Sequence, residues 1–373
     1  MKITFLLPTL SLTGSRWVLS IYTELLQKRG HKIFIVSTPP RQATSIQKLR
    51  SRLRGRVWQS APKKEQCHFD KVDVESRLLE TYRPITDKDI PEADIIMATW
   101  SETAEGVAKL SPSKGTKVYF LEHYDAFDCV PKGRVESTWR LAMHKIAGSL
   151  WPADIARNKY GDLSVSLVPP TADTKQFYDP ESIAPPPRGK QLVATVGMYY
   201  TTTPGKGCDI ALKAFSLAAE KIPNFRLVGF GSGNTPHPNL LPDGTEYNKA
   251  LPSKPSKRIL QQMRCLAVFQ QSRRLRLANY RSEGFGLPII GTPAGAAQQL
   301  QAGAGGILVK PKYPEDRAKA IEQICQLSDA EWRAMSKTAL EKVINNDWED
   351  ATNLFEAPLY AAVEPHAQLT KKA

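Results

Sequence analysis

Glu283 stands immediately before two glycines in the run SEGFGLP, residues 282–288, a pattern suited to a polyhydroxylated, phosphorylated ligand. Gly284 and Gly286 let the main chain approach a ligand closely or take positive φ. Glu283 accepts hydrogen bonds from hydroxyl groups, and Pro288 is placed to open a helix whose free N–H groups face an anion. The run therefore predicts a strand-to-helix turn, although a glycine turn with a solvated Glu has the same spelling. Lys206 is a second candidate. Flanked by Gly205 and Gly207 between a predicted strand and a predicted helix, it brings an ammonium and helix N–H groups toward one diphosphate, the alternative being a solvated loop lysine. His123, in Glu122-His123-Tyr124-Asp125 after the run KVYFL, falls where a parallel sheet presents side chains at its carboxyl edge, as a ligand contact or as a satisfied structural histidine. His144 falls in a helical pattern and reads as structural.

Those side chains need a scaffold. Lys2–Leu7 predicts a buried strand, Ser15–Lys28 an amphipathic helix ended by Gly30, and Lys32–Ser37 a second strand. Strand-like runs recur at Asp94–Ala98 and Lys117–Leu121, each followed by polar residues and a helical pattern, as in a doubly wound parallel sheet. Pro169, Pro170, Pro180 and Pro185 to Pro187 interrupt regular structure and suit an interdomain connection. A second β-α-β pattern follows: a strand over Gln191–Val196, a helix over Cys208–Lys221 and a strand over Phe225–Phe230. Ser328 and Glu331 form a capping box that opens a helix through about Val343, and Trp348–Tyr360 predicts another. The expected organisation is an N-terminal domain over 1–175, a Pro-rich linker over 176–190, a C-terminal domain over 191–345, and a closing helix with a tail over 346–373.

A chain of 373 residues with 41% hydrophobic content suits two α/β domains. No run approaches the roughly 20 apolar residues of a membrane span, and the first residues lack a signal peptide's apolar core, so a cytoplasmic location is expected. Five cysteines, with no CxxC pair, argue against a disulfide framework, and no His/Cys cluster has zinc spacing. The net charge of +14 favours anionic partners. The densest basic cluster, Lys48, Arg50, Arg52, Arg54 and Arg56 followed by Trp58, suits either an anionic membrane surface or a solvated loop. No nucleic-acid motif accompanies these residues, so no nucleic-acid partner is expected.

In their order, several motifs resemble the family 4 (group 1) retaining glycosyltransferases over nearly the whole chain, from Lys2 to about Tyr360. They are KITFLLPTLSLTGS with RGHKIFIVS, ATVGMYYTTTPGKGCDIALKAF, SEGFGLP, and GTPAGAAQQLQAGAGGILVKP. The resemblance implies a GT-B architecture: two Rossmann-like, doubly wound parallel-sheet domains facing a cleft, with a final helix crossing back to the first. It implies a nucleotide-sugar donor, a glycan or lipid-linked acceptor, no cofactor or metal, and a part in polysaccharide biosynthesis, with peripheral contact at the inner membrane face. His123 and Glu283 would be the catalytic-centre residues beside the transferred sugar. Gly14 would let the first loop close over the donor, and Lys206 with Gly284, Phe285, Gly286 and Leu287 would hold it. In such enzymes the leaving diphosphate helps deprotonate the acceptor, and no protein base is assigned.

The chain also departs from the pattern. Met198-Tyr-Tyr-Thr replaces an upstream arginine, Pro170 replaces a hinge asparagine, and the charged run over 271–279 stands where a short apolar strand is usual. After SEGFGLP the start of a helix is missing together with a strand, and Gly291 occupies the position of a second glutamate. Two readings follow: a transferase with impaired activity, or a non-catalytic nucleotide- or carbohydrate-binding protein of the same fold.

Overall fold

Five of the six side chains of β1 (Lys2–Leu7) are buried, as expected of an apolar run covered on both faces of a parallel sheet. The computed structural model describes residues 1–11, 13–40, 67–122, 124, 132–171, 193–200, 207–231, 241–249, 262–268, 286–292, 305–310, 313–344 and 347–370. The chain divides into two units, the first comprising Met1–Gly148, Pro152–Pro169 and Thr352–Ala373, the second Ser149–Trp151 and Pro170–Ala351.

In unit 1, β1 pairs with β2 (Lys32–Ser37) on one side, and Ile3 lies opposite Ile33. On its other side is β4 (Ile95–Ala98), preceded in the chain by the edge strand β3 (Glu75–Leu78). With β5 (Thr116–Leu121), β6 (His144–Ala147) and β7 (Ser166–Leu167), these strands form a parallel sheet of order β3-β2-β1-β4-β5-β6-β7. The edge strand β3 is exposed along its length and carries Glu75 and Arg77, which discourages pairing with a foreign strand. Helices α1 (Gly14–Lys28), α2 (Ser101–Lys109), α3 (Lys132–Trp139) and α4 (Leu150–Tyr160) connect the strands. Along α1, Val18, Leu19, Tyr22 and Leu26 form one buried stripe. His144 starts a strand, contrary to the helical pattern read from the sequence. Its run of four residues is too short to nucleate a helix and gains a ladder with β5, in which His144 faces Val118. Burial lowers the His144 pKa, and Nε2 lies 3.2 Å from Ser166 Oγ.

Unit 2 repeats the order. The strands β8 (Ala194–Tyr199), β9 (Phe225–Gly231), β10 (Glu246–Lys249), β11 (Cys265–Val268), β12 (Ile289–Gly291) and β13 (Gly306–Leu308) form a second parallel sheet, β10-β9-β8-β11-β12-β13. Helices α5 (Cys208–Ala219) and α6 (Pro314–Gln326) contribute Ala211, Phe215, Ala318 and Ile321 to one core beside Val196 and Ile290. The capping box opens α7 (Asp329–Ile344), with Glu331 N donating to Ser328 Oγ at 3.2 Å and Ser328 N to Glu331 Oε2 at 2.8 Å.

Pro288 opens no helix, which corrects the strand-to-helix turn expected there. The chain enters β12 at once, and Ile289 and Ile290, both fully buried, pair with β11 on one side and β13 on the other. Two β-branched side chains between parallel neighbours favour the pleated ladder, so the strand expected to be missing is present over three residues, Ile289–Gly291.

The last helix, α8 (Trp348–Thr370), runs longer than expected and continues through Pro358. An interior proline removes one helix hydrogen bond and costs about 3 kcal/mol. Packing offsets that cost. From Thr352 onward α8 belongs to unit 1, where Phe355 stacks on Tyr22 with ring centroids 4.3 Å apart and meets Phe120 edge-on at 5.4 Å. Beside them Glu356 accepts from His31 Nε2 at 2.5 Å and from Arg29 Nη1 at 2.8 Å.

Candidate functional site

In open parallel sheets ligands gather at the carboxyl ends of the strands, where the strand order reverses. In unit 1 that point lies between β1 and β4. The loop after β1 leads to α1, where Thr13 occupies the N-cap without a side-chain cap hydrogen bond and no acidic residue stands in the first turn. Gly14 is already the first helical residue, and its φ is not positive. Ser11, Thr13 and Ser15 place three hydroxyls along this entrance, Ser11 Oγ to Thr13 Oγ1 at 3.4 Å and Thr13 Oγ1 to Ser15 Oγ at 3.2 Å.

Across the reversal point, Thr99 Oγ1 donates to the Leu6 carbonyl at 3.0 Å and ties the end of β4 to β1. Thr103 Oγ1 accepts from the N–H groups of Thr99 and Trp100, both at 3.0 Å, which closes the first turn of α2. Glu122, at the carboxyl end of β5, is 6% exposed, an uncommon position for a carboxylate and one that its sequence neighbours had overshadowed. His123 and the basic cluster over 48–56 lie outside the described residues. Tyr124 packs with Trp139 and Tyr160, and Lys159 Nζ lies 3.0 Å from Tyr124 Oη and 2.7 Å from Glu136. Burial and the neighbouring Tyr124 push the Tyr160 hydroxyl up to about 12.

In unit 2 the reversal lies between β8 and β11. Lys206 lies outside the described residues, but Gly207, its neighbour, is the N-cap of α5 at φ 67°, a left-handed conformation that a side chain would strain. The Gly207 carbonyl accepts from Ala211 N at 3.0 Å and from the fully buried Arg317 of α6, whose Nη1 is 3.4 Å away. Burial lowers the Arg317 pKa to about 10, opposed by the nearby Asp209 carboxylate. Sequence reading passed over Arg317. In PEDRAKAI it looks like one more charge on a solvated helix face.

Of the glycine motif, Glu283, Gly284 and Phe285 lie outside the described residues, as does the charged run over 271–279. Gly286 has φ 62°, and a Cβ there would come within 2.8 Å of Ser336 Oγ on α7. Leu287 is 3% exposed and packs with Val228, Phe230, Leu266 and Ile289, so its side chain belongs to the core. Only its main chain is left for a ligand. Burial pushes the Cys325 thiol up to about 11 and raises that of Cys265, so neither is an activated nucleophile. Among the described residues no cluster of His, Cys, Asp and Glu is arranged to hold a metal ion, and no helix is long and apolar enough to cross a membrane.

Two parallel-sheet α/β domains, each with the doubly wound order, define the GT-B class of fold. Residues 190–327 match the family described as Glycosyl transferases group 1. A glycosyltransferase from Rickettsia africae is similar over 100% of this chain and 99% of its own, with a TM-score of 0.65 and 15% identity. HepE of Anabaena, solved in complex with UDP-glucose, aligns with a TM-score of 0.68 and 15% identity over 97% of this chain and 99% of its own. The sucrose-phosphate synthase of Thermosynechococcus elongatus aligns with a TM-score of 0.67 and 14% identity over the full length of both chains. No curated protein sequence matches the chain. The family match is confined to residues 190–327, and the likeness to the solved structures shows the GT-B fold.

Proposed function

We propose that the chain moves a sugar from a nucleotide-sugar donor to a carbohydrate or lipid-linked acceptor, with retention of anomeric configuration. The observation that carries this reading is the coincidence of the group 1 family match, 190–327, with the doubly wound sheet whose α5 starts immediately after Lys206. In unit 2, Lys206 and the free N–H groups of α5 hold the diphosphate, and Glu283 and the main chain over 284–287 hold the sugar; in unit 1, Gly14 and His123 are the residues given to donor closure and to the transferred sugar. In this reading the leaving diphosphate takes up the acceptor proton on the same face, and no metal takes part. The basic residues over 48–56 draw the protein to an anionic surface on the cytoplasmic side, where lipid-linked acceptors of polysaccharide synthesis are found. Because the chain passes from Pro288 directly into β12, no helix start faces the diphosphate from that turn, and turnover is reduced.

The test is donor hydrolysis and transfer with UDP-, GDP- and ADP-sugars, by the parent and by Glu283→Ala. A donor should be consumed, and the variant should lose about a hundredfold in rate. Full turnover by Glu283→Ala would remove the site assignment. Binding of a donor with no product from the parent would instead identify a binding protein.

A further inference from the structure

Among the described residues of unit 2, Arg317 is the largest fully buried side chain, and no step above employs it. It stands in the first turn of α6, between the core residues Ala318 and Ile321 and the start of α5, and is 0% exposed. A guanidinium is expensive to remove from water, and an apolar side chain of similar length would fill the same space without that penalty. Its geometry gives it a task. Nη1 reaches the Gly207 carbonyl at 3.4 Å, the same oxygen that receives the first helical hydrogen bond of α5 from Ala211. Gly207 is held at φ 67°, so the peptide that opens α5 is fixed by glycine conformation on one side and by a buried guanidinium on the other. The orientation of that peptide sets the direction of the first free N–H groups of the helix.

We propose that Arg317 is a positioning residue, which fixes the Gly207 turn so that the N-terminus of α5 meets the diphosphate of a nucleoside diphosphate. The proposal rests on the donor site argued above. It goes beyond that site because Arg317 comes from a different helix and touches main chain, not ligand.

The experiment is calorimetric titration of the full-length protein with UDP, GDP and ADP, and with the corresponding nucleosides. Arg317→Met, of similar length and without N–H donors, should bind the diphosphate roughly tenfold more weakly while its nucleoside affinity stays that of the parent. Arg317→Lys, which keeps a cationic N–H donor group but loses the planar fork, should fall between them at about threefold. A purely structural role would weaken nucleoside and diphosphate equally, and that result, like unchanged diphosphate affinity in Arg317→Met, overturns the proposal. Should Arg317→Met not fold, Arg317→Lys is read by the same diphosphate-to-nucleoside ratio, and parental values there overturn it too. A parent that binds none of the three diphosphates overturns the donor-site reading itself, whereas a binding parent with an equally binding variant overturns only the role of Arg317.

Discussion

The two units share the order of their first six strands and differ in the partners of several basic side chains. In unit 1, Lys145 Nζ lies 2.6 Å from the carboxylate of Asp162, and Glu356 takes His31 and Arg29. In unit 2, Arg264 Nη1 donates to the Cys325 carbonyl at 2.6 Å, and Arg317 donates to the Gly207 carbonyl. Carboxylates titrate, and main-chain carbonyls do not. The carboxylate contacts of unit 1 tie its stability to the ionisation of Asp162 and Glu356, whereas the carbonyl contacts of unit 2 fix the end of one helix and the entrance of another.

The most severe way to break this contrast is Asp162→Asn. Lys145 has a side chain only 5% exposed, and removing one partner of a buried pair leaves the other uncompensated, so urea unfolding of unit 1 should report a loss of about 3 kcal/mol. A loss below about 1 kcal/mol would mean that the carbonyl contact from Lys145 to Leu141 suffices, and the two units would no longer differ in kind.

Acid offers a milder version of the same test. Burial raises the pKa of Asp162, but hydrogen bonds from Lys145 and Ser164 outweigh it and hold the carboxyl below its ordinary value. Burial likewise opposes, and hydrogen bonds from His31 and then Arg29 outweigh, in the depression of Glu356. A carboxylate with a depressed folded pKa contributes stability that is complete above its unfolded pKa and is lost as pH falls through the folded value. Hydrogen exchange followed below the ordinary carboxylate range should therefore show β6 and the docked part of α8 opening before β8 and β11. Simultaneous opening in both units would count against the contrast.

Much of the scaffold was readable in the sequence because its signals were local. After Lys2 the run ITFLL is apolar but for Thr4, α1 carries a clean stripe, and Ser328 with Glu331 spells a cap that the structure forms. What escaped was decided by contacts far along the chain. His144 joins a strand because β5 lies beside it, α8 continues past Pro358 because Phe355 is seated on Tyr22 and Phe120, and Pro288 leads into a strand because β11 and β13 flank it. The candidate site rests on residue types, Lys206 and the glycine motif, of which the described residues include only Gly286, Leu287 and Pro288. The link from Arg317 to Gly207 was not legible, since it spans 110 positions and leaves no periodic trace.

The smallest expected effect concerns the entrance to β12, where unit 2 depends on a glycine of the motif proposed to hold the donor. Gly286→Ala imposes two separable costs. The left-handed backbone, φ 62°, strains any L side chain, and the new Cβ meets Ser336 Oγ at 2.8 Å and the Ser336 carbonyl at 3.4 Å. Together these should destabilise unit 2 by about 2 kcal/mol in urea unfolding. The hydroxyl can be removed but the carbonyl cannot, so Gly286→Ala combined with Ser336→Ala should recover part of the loss and leave about 1 kcal/mol of backbone strain. Full recovery in the double variant would mean that the turn relaxes to an ordinary φ once the hydroxyl is gone. Gly286 would then be required for its small size alone, and the left-handed turn would not be what sets the direction in which the motif enters β12.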